Sequence, residues 1–334
     1  MKMIQKDYPY VNARVSAMRA KLLDPKDYNE LLKMGPNEIA RKLEEGEYSR
    51  EINELGSNYE GVKLVELALI KNFTNTMQKL VEISPKPLDA LIKSYLRKFD
   101  ILSLKRIIRW KKGGEKGELE SLLVPVGSFG IEELKDLSEK PYQEIIQSIG
   151  FIDSPVNYQE YISLEATLNE NEMGLDRAYY AEITEKCEKA DSQWFESFVR
   201  QEKEFEDLKI ALRLKKYGLG SEEIQEWLVS GDGFSQVEQV SEAEDFEQAK
   251  QLIEGRFEDQ IKAGDTLEEI EHGLEKIRLK KALQGLHIEP LNSTSILGYI
   301  LAKWIEVKNL RMMIRAKETG VQNQETIKSN LVTA

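Results

Sequence analysis

The 334-residue sequence predicts an all-α protein. Three observations carry that prediction. Good helix formers (Lys, Glu, Leu, Ile, Ala) dominate the composition, and only 9 prolines interrupt them. Capping residues, prolines and glycines punctuate the chain where helices should start and stop. One amphipathic helical pattern also recurs three times at domain-scale spacing.

Helix boundaries are marked along the chain. Asp24 before Pro25 reads as an N-cap with proline in the first turn. Ser84-Pro85-Lys86-Pro87 opens a long helix that runs through Leu91 and Tyr95 to Trp110. Ser154-Pro155, Ser221-Glu222-Glu223 and Asp265-Thr266-Leu267-Glu268 read as further starts. Gly113-Gly114, Gly218, Gly220 and Gly320 read as exits. Between Asn157 and Tyr217 Gly174 is the main breaker, which predicts two or more long helices there. Lys112 to Gly117 and Gly231-Asp232-Gly233 are expected as loops. Short amphipathic helices are expected at Asp27 to Leu32, Glu133 to Leu137 and Glu223 to Leu228. A second short helix should follow, as at Asn37 to Leu43 and Tyr142 to Ile149.

The repeat aligns without gaps as Lys98 to Gly114, Glu202 to Gly218 and Trp304 to Gly320. Arg109, Arg213 and Arg315 mark its register, 104 and 102 positions apart. Ile101, Leu104 and Ile108 form an i, i+3, i+7 stripe, matched by Phe205, Leu208 and Leu212 and by Val307, Leu310 and Ile314. Each copy should therefore bury the same helix face. A basic pair lies one position further round: Lys105 and Arg109, Lys209 and Arg213, Arg311 and Arg315. These six are the candidate interaction or structural positions. An acid precedes each stripe (Asp100, Glu204, Glu306), and a small polar residue sits within it (Ser103, Asp207, Asn309). The period divides the chain into helical repeats over 1–114, 115–218 and 219–334. A solenoid scaffold, the competing reading, has repeats of only about 20–50 residues.

Charge and composition exclude several functions. The formal net charge of −12 argues against nucleic acid as a partner. The one basic block, Lys93 to Lys116, carries nine Lys or Arg against Asp100 and Glu115. Its last turns complement a helix carboxyl end, and the recurring basic pair points to an acidic protein partner. The acidic run Glu238 to Asp259 reads as a solvated helix. A single cysteine, Cys187, fits a reducing interior. The longest uncharged stretch, Pro290 to Ala302, has 13 residues, short of the roughly 20 a membrane span needs. Met1 to Lys6 lacks the apolar core of a signal peptide, so an intracellular protein is expected.

No catalytic constellation emerges, so the sequence reads as a non-enzyme with no cofactor, metal or small-molecule substrate. Gly113-Gly114-Glu115-Lys116-Gly117 lacks the spacing and hydroxyl of a phosphate loop. No Asp-Asp pair occurs, so the metal motif of all-helical prenyl-transfer enzymes is missing. Glu269-x-x-His272 has the spacing of half a di-iron site, but His287 is preceded at that spacing by Gln284. Cys187 lies among acids that raise a thiol pKa.

The tripled signature, clearest in Tyr95 to Arg109, resembles the C subunits of archaeal and bacterial A-type rotary ATPases, whose family includes the d subunits of eukaryotic vacuolar-type ATPases. The opening from Tyr8 through Arg14, Met18 and Arg19 to Leu23 is similar to that family's amino-terminal helix. The resemblance covers essentially the whole chain. It implies a pseudo-three-fold funnel, present once per complex, on the cytoplasmic side of the membrane. The central shaft subunits would enter it and the membrane proteolipid ring would carry it, so that it couples ATP chemistry to ion transport without catalysing either. The third copy departs from the pattern at Ala316 and Glu318.

Overall fold

A computed structural model describes residues 9–86, 88–150, 154–190, 193–230, 233–258, 260–262, 264–288, 293–321 and 323–333. Among the described residues every regular element is helical. In chain order these are α1 (Pro9–Arg19), α2 (Pro25–Leu31), α3 (Pro36–Glu44), α4 (Ser49–Leu55), α5 (Gly61–Ile83), α6 (Leu88–Lys112), α7 (Ile131–Glu139) and α8 (Tyr142–Ser148). There follow α9 (Leu168–Ala190), α10 (Gln193–Lys216), α11 (Ser221–Glu226), α12 (Ser235–Glu242), α13 (Phe246–Arg256), α14 (Leu267–Ile288), α15 (Ser293–Glu318) and α16 (Gln324–Ser329). Two 3-10 turns, Glu120–Leu122 and Tyr158–Glu160, complete the set. The chain forms two compact units, residues 1–139 with 281–334 and residues 140–280.

The expected starts work as caps. Asp24 accepts from the N–H groups of Lys26 and Asp27 at 2.7 and 3.0 Å, and Asp27 reciprocates to the Asp24 N–H at 2.8 Å. These bonds satisfy donors that a first turn leaves orphaned. The same back-reaching carboxylate recurs, onto a glycine, where α7 and α11 begin. Glu133 accepts from the Gly130 N–H at 2.7 Å, and Glu223 from the Gly220 N–H at 2.9 Å. At α14 it is Glu269 that closes the box on Thr266.

In the first unit, α5, α6 and α15 meet at an aromatic triad. Phe73, Phe99 and Trp304 have ring centroids 4.9 to 5.3 Å apart, with Phe99 edge-on to both partners. Such pairs are worth about 0.5–1.5 kcal/mol each beyond the apolar area they bury. In the second unit, Phe205, Leu208 and Leu212 of α10 pack with Val237 and Val240 of α12, Ile253 of α13 and Ile270 and Leu274 of α14. All nine predicted stripe residues are buried.

Three expectations are corrected. Gly220, expected as an exit, is the N-cap of α11. No α-helix starts at Ser154-Pro155; a 3-10 turn and an irregular segment precede α9. The cause is local hydrogen bonding. Ser154 Oγ bonds the Val156 N–H and carbonyl, and the fully buried Asn171 holds both the N–H and the carbonyl of Ser163 at 2.8 Å. Gly174 then has a clear purpose. A Cβ there would lie 1.9 Å from the Tyr161 carbonyl oxygen, so only glycine lets this segment lie on α9. The acidic run is two helices rather than one, because Asp245 turns outward to cap α13 through the Gln248 N–H at 2.8 Å. Tyr8, Pro87, Gly231 and Asp232, and the side chain of His287, lie outside the described residues.

Candidate functional site

The three repeated helices α6, α10 and α15 end alike. Gly114, Gly218 and Gly320 adopt φ of 79°, 84° and 85°, a left-handed conformation that glycine enters without a Cβ clash. Their N–H groups bond the carbonyls of Lys111, Lys215 and Lys317. The next residues, Glu115, Leu219 and Val321, bond the carbonyls of Trp110, Leu214 and Ala316 at 2.9, 3.2 and 2.9 Å. This is one Schellman exit made three times.

The small polar position explains itself in the same way. Ser103, Asp207 and Asn309 are buried, and each captures the backbone of a valine that follows a short helical turn. Ser103 Oγ accepts from the Val124 N–H at 3.0 Å, Asp207 from Val229 at 2.6 Å, and Asn309 from Val332 at 3.0 Å. The valine lies 21, 22 and 23 positions downstream in the three copies, each time directly after a leucine. Each repeated helix is thus closed by a Leu-Val strap hooked onto its own buried face. The one-residue drift hides this strap from a gapless alignment; the recurring Leu-Val dipeptide is the signal that could have found it.

The acids that precede each stripe have diverged. Asp100 accepts from the Ser128 and Phe129 N–H groups at 2.6 and 3.3 Å, and its burial pushes its pKa up to about 7. Glu204 takes Arg256 at 2.5 Å. Glu306 accepts from Lys303 Nζ at 2.8 Å and Tyr48 Oη at 2.5 Å in the interior, and from the half-buried Leu23 N–H at 2.6 Å.

Three of the basic candidates join elements of their own unit, and a fourth pairs within its own helix. Arg315 grips the nearly buried Glu66 of α5 through Nε and through Nη2, the latter at 2.8 Å. Arg311 reaches the same carboxylate at 3.4 Å and gives Nη2 to the Ser121 carbonyl at 2.7 Å. Arg213 holds Glu271 of α14 bidentately, with both contacts at 2.6 Å. Lys209 pairs with Glu206 on its own helix at 2.7 Å. Glu66 raises the Arg315 pKa and Glu271 raises that of Arg213, whereas burial lowers that of Arg311. Lys105 is half-buried and Arg109 exposed. The acidic partners escape a search for basic pairs. Val65-Glu66-x-x-Leu69 and Ile270-Glu271-x-x-Leu274 share a pattern that marks them.

Among the described residues no group of three or more His, Cys, Asp or Glu converges as a metal site. Burial, with Glu196 and Glu188 nearby, holds the Cys187 thiol well above its usual range. A groove of about 500 Å³ along α9 is lined by Tyr161, Arg177, Tyr180, Glu185 and Lys203 among others, and Arg177 there spends its donors on the Glu226 and Leu228 carbonyls.

Comparison with known proteins identifies the family. The family described as ATP synthase (C/AC39) subunit matches residues 11–329. This chain belongs to that family. The A-type ATP synthase C subunit of Methanococcoides burtonii is 34% identical, over 98% of this chain and 94% of that protein. The proteins of the same name from Methanosarcina mazei and Haloferax volcanii are 33% and 32% identical, over 98% and 97% of this chain and 93% and 97% of theirs. The part of this C/AC39 chain that matches contains all six basic positions and all three glycine exits. Among its described residues no helix is long and apolar enough to cross a membrane.

Proposed function

We propose that this protein is the C subunit of an A-type ATP synthase, and that it works as a non-catalytic adaptor between the central shaft of the soluble head and the proteolipid ring in the membrane. The observation that carries this reading is the end-to-end likeness to A-type ATP synthase C subunits. It also sets aside the unrelated solenoid scaffold.

The helical body suits the task. An adaptor that carries torque must resist twisting, and long helices tied by buried hooks and bidentate ion pairs are stiff elements. The three hooked helices support a chain built as repeats over 1–114, 115–218 and 219–334, with the pseudo-three-fold funnel that the family resemblance implies. One copy would sit peripherally on the cytoplasmic face, binding shaft and ring and neither nucleic acid nor a small-molecule substrate.

A tagged chain recovered from native membranes tests the reading by mass spectrometry. Nucleotide-binding head subunits together with a small proteolipid should come with it. Recovery of the chain alone, from membranes where head and ring stay joined, would sink the proposal.

A further inference from the structure

Arg106 breaks the repeat. Its equivalents in the second and third helices are Ile210 and Met312, so this face of the helix has no structural need for charge. Arg106 is half-buried, its guanidinium donates through Nη1 to the Leu122 carbonyl, and it makes no ion pair among the described residues. The charged groups that act on it are Arg109, Arg311 and Arg315, all of its own sign. Burial and these neighbours together push its pKa down to about 10.

Bracing the 3-10 turn at Glu120–Leu122 does not account for the residue. Arg311 already holds that turn from α15 through the Ser121 carbonyl. A guanidinium has five N–H donors, and one bond to a carbonyl leaves most of them uncommitted. A cation kept half-desolvated among other cations destabilises the isolated fold unless an anion completes the site. The neighbouring pair shows which anion suits this geometry, since Arg315 holds the Glu66 carboxylate through two of its nitrogens.

We propose that Arg106 is a docking residue that receives a carboxylate from an acidic segment of a partner subunit, beside Arg311 and Arg315, whose own carboxylate is already Glu66. The assignment rests on the adaptor reading above and adds to it one contact residue and the chemistry of its partner. The first copy of the repeat, alone of the three, then carries this contact.

The test compares binding of the full-length chain and its variants to the purified assembly lacking this subunit, at two salt concentrations. R106M, which installs the residue of the third copy, should bind about tenfold more weakly and with a shallower salt dependence, while its melting temperature holds or rises. R106K should bind between wild type and R106M, because it keeps the charge but loses the fork. Unchanged binding by R106M overturns the assignment, as does an R106K that binds as weakly as R106M. Should R106M fold poorly, R106Q is measured in its place and read by the same criteria. Failure of the wild-type chain to bind the assembly at all rejects the adaptor reading itself.

Discussion

Asn309 and Val332 hold each other through both polar groups of one peptide residue. The valine N–H donates to Asn309 Oδ1 at 3.0 Å, and Asn309 Nδ2 donates to the valine carbonyl at 2.8 Å. Both residues are buried, so neither backbone group can turn to water for a substitute. Asn309→Ala should therefore cost about 2–4 kcal/mol, the loss of two hydrogen bonds that leaves a buried donor and acceptor unsatisfied. Asn309→Ser, which copies the first repeat, should cost less. Urea unfolding followed by circular dichroism ranks the two.

The two bidentate arginine pairs should differ in strength. Glu66 is 5% exposed at its side chain, and truncating it strands Arg311 and Arg315 side by side. Glu66→Ala should cost about 2–3 kcal/mol, discounted from a fully buried pair because Arg315 is half in solvent. Arg213 is 54% exposed, and Arg213→Ala should cost no more than about 1 kcal/mol, with most of that lost at high salt. Equal costs for the two variants would refute the ordering.

Lys303 and Glu306 form an ion pair whose side chains are 5% and 4% exposed, roofed by Tyr48. Removing one partner leaves an uncompensated charge in the interior. Lys303→Met and Glu306→Gln should each destabilise by about 3–5 kcal/mol, and the double variant should be more stable than their sum requires. A double-mutant cycle measures the coupling, and additive costs would contradict it.

Asp100 gives the fold a pH dependence of defined sign. Its folded pKa is raised from 3.8 to about 7, so the folded state prefers the neutral acid. Its contribution to stability is greatest below pH 3.8, declines as pH climbs through the window to about 7, and is constant above. The total decline is on the order of 4 kcal/mol, at about 1.36 kcal/mol per unit. Asp100→Asn removes this component. The difference in unfolding free energy between variant and wild type should move in the variant's favour from about pH 4 to about pH 7, and a pH-independent difference would contradict the assignment.

Gly174→Ala should displace the Tyr161 segment, since the new methyl would overlap the Tyr161 carbonyl. The expected cost is about 1–3 kcal/mol. Faster amide hydrogen exchange confined to residues 158–165 would report it.

Much of the fold was legible because helix formation is local. Asp24, Thr266 and the three exit glycines act within four or five residues of themselves, so their chemistry is written in consecutive letters. The stripe of Ile101, Leu104 and Ile108 reads just as directly, because a period of about 3.6 residues decides which side chains share a face. The Ser154-Pro155 start failed for a different reason. The partner that decides that segment, Asn171, lies on the following helix, and no property of Ser154 announces it.

The candidate surface was less legible. A repeated basic pair says that a helix carries charge at one angle and not what meets it. Glu66 lies 249 positions from Arg315, and Glu271 lies 58 from Arg213. The order of residues therefore dictated the helical class, the caps, the buried stripe and the threefold recurrence of one helix with its glycine exit. Packing in three dimensions settled which charges became internal clasps, which polar residues became hooks for a Leu-Val strap, and that Arg106 stands among cations. The division has one physical cause. Backbone hydrogen bonding and side-chain periodicity operate over a few residues, whereas ion pairs and buried polar contacts depend on which distant segments packing brings within about 3 Å.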